Sequence, residues 1–142
     1  MLDKNLLSND NVLRTKVLVE VNEDFHQADL VNQALDSNIL ASLVMCFKDT
    51  DDVIRELASR AVLKVTNVEM GRVVFVANTL IQVTASLFDD QVKQIRHNAY
   101  TCLINLAQFT FGIQSVIDAD ILRILVEKLV IEKETDILIL IL

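Results

Sequence analysis

The sequence predicts an all-α protein, a right-handed α-solenoid of about three stacked three-helix repeats. The chain has 142 residues with no proline and two glycines, whereas soluble β-domains usually need frequent glycine and proline turns. A spacing of 41 residues also recurs, since it separates Arg14, Arg55 and Arg96 from one another and Gly71 from Gly112. Self-similarity at such a period is the sequence signature of a helical solenoid.

We expect a single domain that divides at this period. The repeats fall at about 11–50, 51–91 and 92–134, with a partial repeat at 1–10 and the start of a further one at 135–142. No single repeat can bury two apolar faces alone, so the repeats must stack. Because the pattern starts and stops within a repeat, we expect a piece of a longer solenoid, or one whose ends are covered.

Each repeat is expected to begin with a long helix that follows an acidic or amide-rich linker. These helices are predicted at about 11–24, 51–68 and 92–109. Asp51 or Asp52 is a suitable N-cap for the second, because a short side-chain oxygen can accept a hydrogen bond from an orphan backbone N–H.

A glycine and a short helix are expected after the second and third long helices. Gly71 and Gly112 would let the chain turn sharply, since glycine has the greatest backbone freedom. The short helices should then lie near 72–78 and 113–119.

A third helix in each repeat carries an apolar stripe with spacings of three and four residues, which predicts one buried face. The stripes consist of Ile39, Leu40, Leu43, Val44 and Phe47; of Leu80, Ile81, Val83 and Phe88; and of Ile121, Leu122, Leu125 and Leu129.

These features resemble the armadillo repeat family, with HEAT repeats as the near relative. The glycine after the long helix and the stretch Leu103–Gln108 (LINLAQ) carry the resemblance, which covers about Leu6 to Leu142. More narrowly, Met70–Asp90, Arg96–Gln108 and Ile121–Asp136 resemble the armadillo proteins of radial spokes in motile cilia and flagella. That resemblance implies a non-catalytic structural subunit of the axonemal radial spoke, found in the cytoplasm and in the cilium or flagellum, with other radial spoke proteins as partners.

Composition narrows the partner classes. The net charge is −7, so phosphate groups of nucleic acids and anionic membranes are repelled. The longest uncharged run, Val73–Phe88, has 16 residues and is too short for a typical membrane span. Cys46 and Cys102, without a visible signal peptide, indicate a reducing cytosolic compartment. We expect protein subunits as partners, and no nucleic acid, membrane or small molecule.

No enzymatic, cofactor or metal site is predicted. Cys102 and His97 lie five residues apart on one predicted helix, so they point in different directions. The acidic run at 49–52 does not form a calcium loop, because Ile54 and Arg60 occupy the positions that require glycine and glutamate. Two cysteines and two histidines without close spacing do not form a zinc site. His26 has no evident partner.

Partner contact is expected on the concave face, which the stacked long helices line. In peptide-binding armadillo proteins an asparagine late in the long helix holds an extended peptide, and Asn105 occupies that place, but Lys64 and Glu23 replace it in the earlier repeats. A cytosolic adaptor that binds an extended peptide in the groove is therefore the alternative function, and a merely solvated face is the alternative for the surface. The predicted contact residues are Lys16, Glu23, Glu56, Arg60, Lys64, Asn67, His97, Thr101, Asn105 and Gln108.

The periodic arginines, with Gly71 and Gly112, are assigned to repeat packing. Arg14, Arg55 and Arg96 lie near helix starts, where the helix dipole disfavours cations. Each is predicted to reach a linker carboxylate. The candidate carboxylates are Asp10, Asp51, Asp52, Asp89 and Asp90. The aliphatic segment Ile137–Leu142 is expected to be covered by a partner, a further repeat or self-association.

Overall fold

The computed structural model describes residues 2–142, which form eleven α-helices and no β-strand. The predicted all-α solenoid is confirmed. In chain order the helices are α1 (Leu2–Leu6), α2 (Asn11–Asp24), α3 (Ala28–Leu35), α4 (Ile39–Met45), α5 (Asp52–Asn67), α6 (Glu69–Ala77), α7 (Ile81–Ala85), α8 (Lys93–Leu106), α9 (Thr110–Asp118), α10 (Ile121–Ile131) and α11 (Thr135–Ile141).

The long helices pack side by side in one layer. Helix α5 lies between α2 and α8, and α11 packs on the far side of α8. The short helices α3, α6 and α9 form a second row, while α4, α7 and α10 pack against the long helix that follows each of them. Small side chains such as Ala58, Ala61 and Ala99 are fully buried along the long helices, so neighbouring backbones can approach closely.

The long helices α2 and α5 begin where linker carboxylates accept backbone N–H groups. The Oδ1 atom of Asp10 accepts from the Val12 and Leu13 amides at 2.9 and 3.2 Å, and Asp51 accepts from the Val53 amide at 3.0 Å. These bonds satisfy donors that have no partner within the helix. Asp51 is therefore the N-cap of α5, so that of the two predicted N-caps, Asp51 and Asp52, the first is confirmed.

The predicted role of the two glycines as turn residues is wrong. Gly71 and Gly112 lie inside α6 and α9, and neither has a positive φ. The turns are made instead by Val68 and Phe109, whose backbones are extended. As a result, the short helices begin earlier than predicted, and α8 ends at Leu106 rather than near residue 109.

Glycine is required at these positions because α6 and α9 cross the end of the preceding long helix. A Cβ atom on Gly71 would overlap the carbonyl oxygen of Val65 and lie 2.8 Å from its carbonyl carbon. A Cβ atom on Gly112 would overlap the carbonyl oxygen of Leu106 in the same way. Both glycines thus permit close backbone approach between helices.

Left-handed backbone occurs at a different place in the repeat. Thr79 has a φ of 54° and Asp120 has a φ of 56°, and the two residues are one period apart. Each precedes the third helix of its repeat. A β-branched residue such as Thr79 is strained in this conformation.

The third helices only partly follow the predicted stripes. Helices α4 and α7 continue as 3₁₀ turns at Cys46–Lys48 and Ser86–Asp89, and Leu80 precedes α7. The predicted buried face is wrong for part of α10, where Ile121 is buried and Leu122 is exposed. The helices packed against α10 are α9 and α11, and neither covers Leu122.

None of the helices within residues 2–142 is individually long and apolar enough to cross a membrane. Two pairs of helices joined at a sharp bend have together the length and apolar composition of a membrane span. They are Ala28–Leu35 with Ile39–Lys48 and Glu69–Ala77 with Ile81–Asp89.

Candidate protein-binding surface

Three arginines connect successive linkers of the solenoid. Arg55 donates two hydrogen bonds to the Asp90 carboxylate, at 2.8 and 3.2 Å. Arg96 pairs with Glu132 at 2.9 and 3.0 Å, and Arg14 pairs with Asp49. Among these partners, Asp90 belongs to the set predicted from sequence, whereas Asp49 and Glu132 do not.

Each partner carboxylate also holds its own linker in place. Asp49 accepts the Asp51 amide and Asp90 accepts the Val92 amide, both at 2.9 Å. Arg55 in turn donates to the backbone carbonyl of Asp49 at 3.0 Å, so that one arginine binds two successive linkers. These contacts offset the unfavourable position of a cation near a helix start.

Ionisation of these carboxyls is coupled to the fold. Burial alone would raise the pKa of Asp90, but the hydrogen bonds from Arg55 and the Val92 amide outweigh it and lower that pKa. The same competition, with Arg96 as the donor, lowers the pKa of Glu132. The side chains of Arg55 and Asp90 are only 17% and 8% exposed. The contribution of these arginines to repeat packing stays a prediction.

The ten predicted contact residues lie on the long helices or just beyond α8, and none is fully buried. The exposed members are Lys16, Glu23, Asn67 and Gln108. The half-buried members are Glu56, Arg60, Lys64, His97, Thr101 and Asn105. Their assignment to partner binding stays a prediction.

Asn105 is engaged within the protein. Its amide nitrogen donates to Thr66 Oγ1 at 3.0 Å and to Asn67 Oδ1 at 2.7 Å, both on α5. Because both amide hydrogens are used between repeats, neither is free to hold a peptide backbone. The structure therefore gives the Asn105 amide nitrogen an inter-helix contact with α5, and partner binding by Asn105 stays a prediction.

Sequence analysis missed two related asparagines. Asn98 donates to Ser59 Oγ at 2.9 Å, and Asn22 donates to the Leu57 carbonyl at 2.9 Å. Both are buried and connect neighbouring long helices. A polar residue in the middle of an apolar helix face was the available signal, because a buried amide needs a partner.

A groove opens beside the C-terminal end of α2 and the start of α3. We call it the α2–α5 groove, and it encloses about 460 Å³. Its apolar lining comes from Phe25, Leu63 and Val68. Its polar lining consists of His26, Arg60, Lys64 and Asn67. Three of the ten predicted contact residues, namely Arg60, Lys64 and Asn67, thus meet in one place.

Lys64 is the central charge of this groove. Its Nζ donates to the Asn22 carbonyl oxygen and lies 3.0 Å from His26 Nε2. Burial lowers the pKa of Lys64, and the nearby positive charge of Arg60 lowers it further. Arg60 pairs with Glu56 one turn away, while within residues 2–142 no carboxylate forms an ion pair with Lys64. No partner was predicted for His26, because it lies in the turn between α2 and α3 and Lys64 lies 38 positions away on α5.

A second, apolar cavity of about 520 Å³ lies at the end of the stack. Ile117 and Leu122 line it and are 47% and 53% exposed. The residues one period earlier, Val76 and Ile81, are only 7% and 3% exposed. Of the segment predicted to form an exposed patch, Ile137 is instead buried and Leu142 is exposed. This end face therefore exposes apolar side chains at positions that are buried between repeats elsewhere in the stack.

The two cysteines are buried and free. Burial raises the pKa of the Cys102 thiol to about 12, which disfavours the reactive thiolate. A structural role is in keeping with this environment.

Among the solved structures that share this architecture are designed armadillo repeat proteins. One superposes with a TM-score of 0.87 at 18% identity, covering 99% of this chain and 60% of that one. A structure of computationally designed armadillo repeat proteins for modular peptide recognition superposes with a TM-score of 0.88 at 17% identity. The match covers 99% of this chain and 60% of that one. A designed armadillo repeat protein in complex with the peptide (KR)4 superposes with a TM-score of 0.87 at 17% identity. The match covers 99% of this chain and 59% of that one. The chain thus spans less than two thirds of each, and this likeness shows the fold alone.

A family model gives a more specific match. Residues 15–108 match the family described as the Vacuolar 14 Fab1-binding region. The matched stretch contains most of α2, all of α5 and α8, and the whole α2–α5 groove. It covers well over half of the sequence. This armadillo-like chain therefore belongs to the Vacuolar 14 Fab1-binding region family.

Proposed function

We propose that this protein is a non-catalytic scaffold that binds a Fab1-type protein through the exposed face of its long helices. The family match over residues 15–108 is the observation that carries the proposal, because that family is described by its binding of Fab1. The matched residues include all ten predicted contact residues, and Gln108 is the last residue of the match.

The architecture suits this role. The long helices α2, α5 and α8 pack side by side and are tied by Asn22, Asn98 and Asn105, so their exposed side chains form one rigid surface. A rigid surface loses little conformational freedom when it binds. Stacked repeats use such extended surfaces for partner recognition.

Solved armadillo neighbours described as recognising peptides support a related form of binding. We propose that the Fab1-type partner presents an extended segment to the groove side of the long helices. This binding mode is that of an adaptor that holds an extended peptide. The Asn105 amide nitrogen would not hold the peptide backbone, because it already donates to Thr66 and Asn67.

Binding can be measured with the immobilised protein and a purified Fab1-type protein from the same organism. Thr101→Arg places a bulky charge at a half-buried position on α8, within the predicted contact set, and is expected to weaken binding at least about tenfold. Gln114→Arg, on the exposed surface of α9, is the matched control and should bind like the wild type. Absence of binding by the wild type, or loss of binding in the control alone, would contradict the proposal.

A narrower proposal concerns location. We propose that the scaffold acts in the cytoplasm and, as a radial spoke subunit, in the axoneme of a cilium or flagellum. Its support is the sequence resemblance of Met70–Asp90, Arg96–Gln108 and Ile121–Asp136. Fluorescent tagging in a ciliated cell tests it: signal along the axoneme is expected, and its exclusion from the axoneme would contradict this proposal while leaving the Fab1-type partner untouched.

A further inference from the structure

We infer that the α2–α5 groove receives an acidic segment of the protein partner, with one apolar side chain in the groove and a carboxylate beside Lys64 and Arg60. This inference deepens the proposed function and rests on it. It specifies the chemistry of the bound segment and the residues that select it.

The shape of the groove provides for the apolar part. Phe25 is buried beneath it, and Leu63 and Val68 are half-buried along it. A volume of about 460 Å³ falls in the range of pockets that hold a small ligand or a large side chain. Burial of an aliphatic or aromatic side chain against these three residues would remove apolar surface from water on both partners.

The charge of the groove provides for the acidic part. An ammonium group has three donors, and Lys64 uses two of them on the Asn22 carbonyl and on His26. The third donor has no carboxylate to meet within the described residues. A ligand carboxylate would supply the missing counter-charge and form a charge-assisted hydrogen bond. It would also relieve the repulsion from Arg60, which lowers the pKa of Lys64.

Neither cation recurs at the equivalent positions of the neighbouring repeats. One period before Arg60 stands Val19, and one period after it stands Thr101. Lys64 is likewise replaced by Glu23 and by Asn105 in the neighbouring repeats. The packing arginines near the helix starts, by contrast, recur at this period.

This local positive charge also contrasts with the rest of the molecule. The whole chain carries a net charge of −7, whereas two cations, Arg60 and Lys64, line this groove. Glu56 neutralises part of the charge of Arg60 in the free protein, and Lys64 is therefore the main anchor. Complementary charge of this kind selects the partner segment and its register more than it raises affinity.

The test uses fluorescence anisotropy with two labelled peptides of equal length, one of leucine and aspartate and one of leucine and lysine. The wild type is expected to bind the acidic peptide at least about tenfold more tightly. Lys64→Gln and Arg60→Gln should each weaken that binding about five- to tenfold. Lys48→Gln, which removes an exposed lysine outside the groove, is the matched control and should have no effect. Circular dichroism spectra identify any variant that fails to fold.

Equal affinity for the two peptides would overturn the inference, as would equal effects of Lys64→Gln and Lys48→Gln. Binding of phosphatidylserine vesicles without binding of the acidic peptide would assign the groove to a lipid surface instead. The Fab1-type protein separates this inference from the proposed function. If that protein binds the wild type and both groove variants equally, the proposed function stands and the inference fails. If the Fab1-type protein binds neither the wild type nor the groove variants while the acidic peptide binds as expected, the inference about the groove stands and the proposed function fails.

Discussion

Replacement of Gly71 by alanine tests the packing of the short helices on the long ones. In an exposed helix, a change from glycine to alanine stabilises by about 1 kcal/mol, because alanine has the higher helix propensity. Gly71 lies inside α6, so propensity alone predicts stabilisation. The structure predicts the opposite sign.

The expected cost follows from the contacts of the added methyl group. The Cβ atom would overlap the Val65 carbonyl oxygen and lie 2.9 Å from Val65 Cγ1. A backbone carbonyl cannot rotate away as a side chain can, so α6 must move off the end of α5. Overpacking of this kind costs about 1–3 kcal/mol or more. The Val65 carbonyl also accepts the Val68 amide at 3.1 Å, a bond worth about 1 kcal/mol that the shift would weaken.

After the gain in propensity, we expect Gly71→Ala to lower the free energy of unfolding by about 3 kcal/mol. For a chain of this size, the Tm should fall by about 10 °C. Urea denaturation and thermal melts followed by circular dichroism measure both quantities. Met70→Ala, at the exposed neighbouring position, is the control and should change stability by less than about 0.5 kcal/mol. A Gly71→Ala protein whose free energy of unfolding equals or exceeds that of the wild type would refute the close-approach explanation.

Three further predictions concern the linkers and turns. Arg55→Ala should lower the free energy of unfolding by about 1–3 kcal/mol, measured by urea denaturation, because the half-buried Asp90 carboxylate and the Asp49 carbonyl lose their guanidinium donor. An unchanged urea midpoint would contradict this. The pKa values of Asp90 and Glu132 are held below their ordinary 3.8 and 4.5, so the stability that these carboxyls contribute is complete above about pH 4.5 and is lost as the pH falls through the lowered values. Urea midpoints measured from pH 7 down to pH 3 should therefore fall with acidity, and less so in Arg55→Ala; equal falls in both proteins would count against the coupling. Thr79→Asn should stabilise by about 0.5–1 kcal/mol, since asparagine tolerates the left-handed conformation that strains threonine, while Asp120→Asn, the matched change one period later, should have little effect in the same denaturation assay.

Helix type and order could be predicted from the sequence, because apolar spacing of three and four residues and the near-absence of helix breakers act locally. The two glycines show the limit of such reasoning. A glycine needed for a left-handed turn and a glycine needed for close approach look alike in a sequence. The crossing of α6 over α5 decides between them, and that crossing depends on tertiary packing.

The arginine partners show a different limit. A strict period of 41 residues relates Asp49 to Asp90 but places Ile131 at the next equivalent position. The third helix α10 runs to Ile131, so the linker before α11 begins later than a period of 41 would place it, and Glu132 is the partner of Arg96. An insertion of a single residue is invisible to a search for an exact period.

The groove was predicted only in part. Arg60, Lys64 and Asn67 share the exposed side of one helix, which the helical period makes evident. His26 and Phe25 come from the turn between α2 and α3, and their position depends on how one repeat stacks on the next. Sequence spacing along one helix therefore predicted three of the eight lining residues, and stacking between helices accounts for the position of His26 and Phe25.

The binding surface can be located most directly by amide chemical-shift mapping with NMR. A labelled sample of this chain is titrated with a Fab1-type protein segment, and the shifts are compared along the helices. We expect the largest changes on the exposed sides of α2, α5 and α8, centred on Lys64 and the groove beside it. Changes confined to α3, α6 and α9, or their absence at saturating concentrations, would contradict the assignment of the long-helix face as the protein-binding surface.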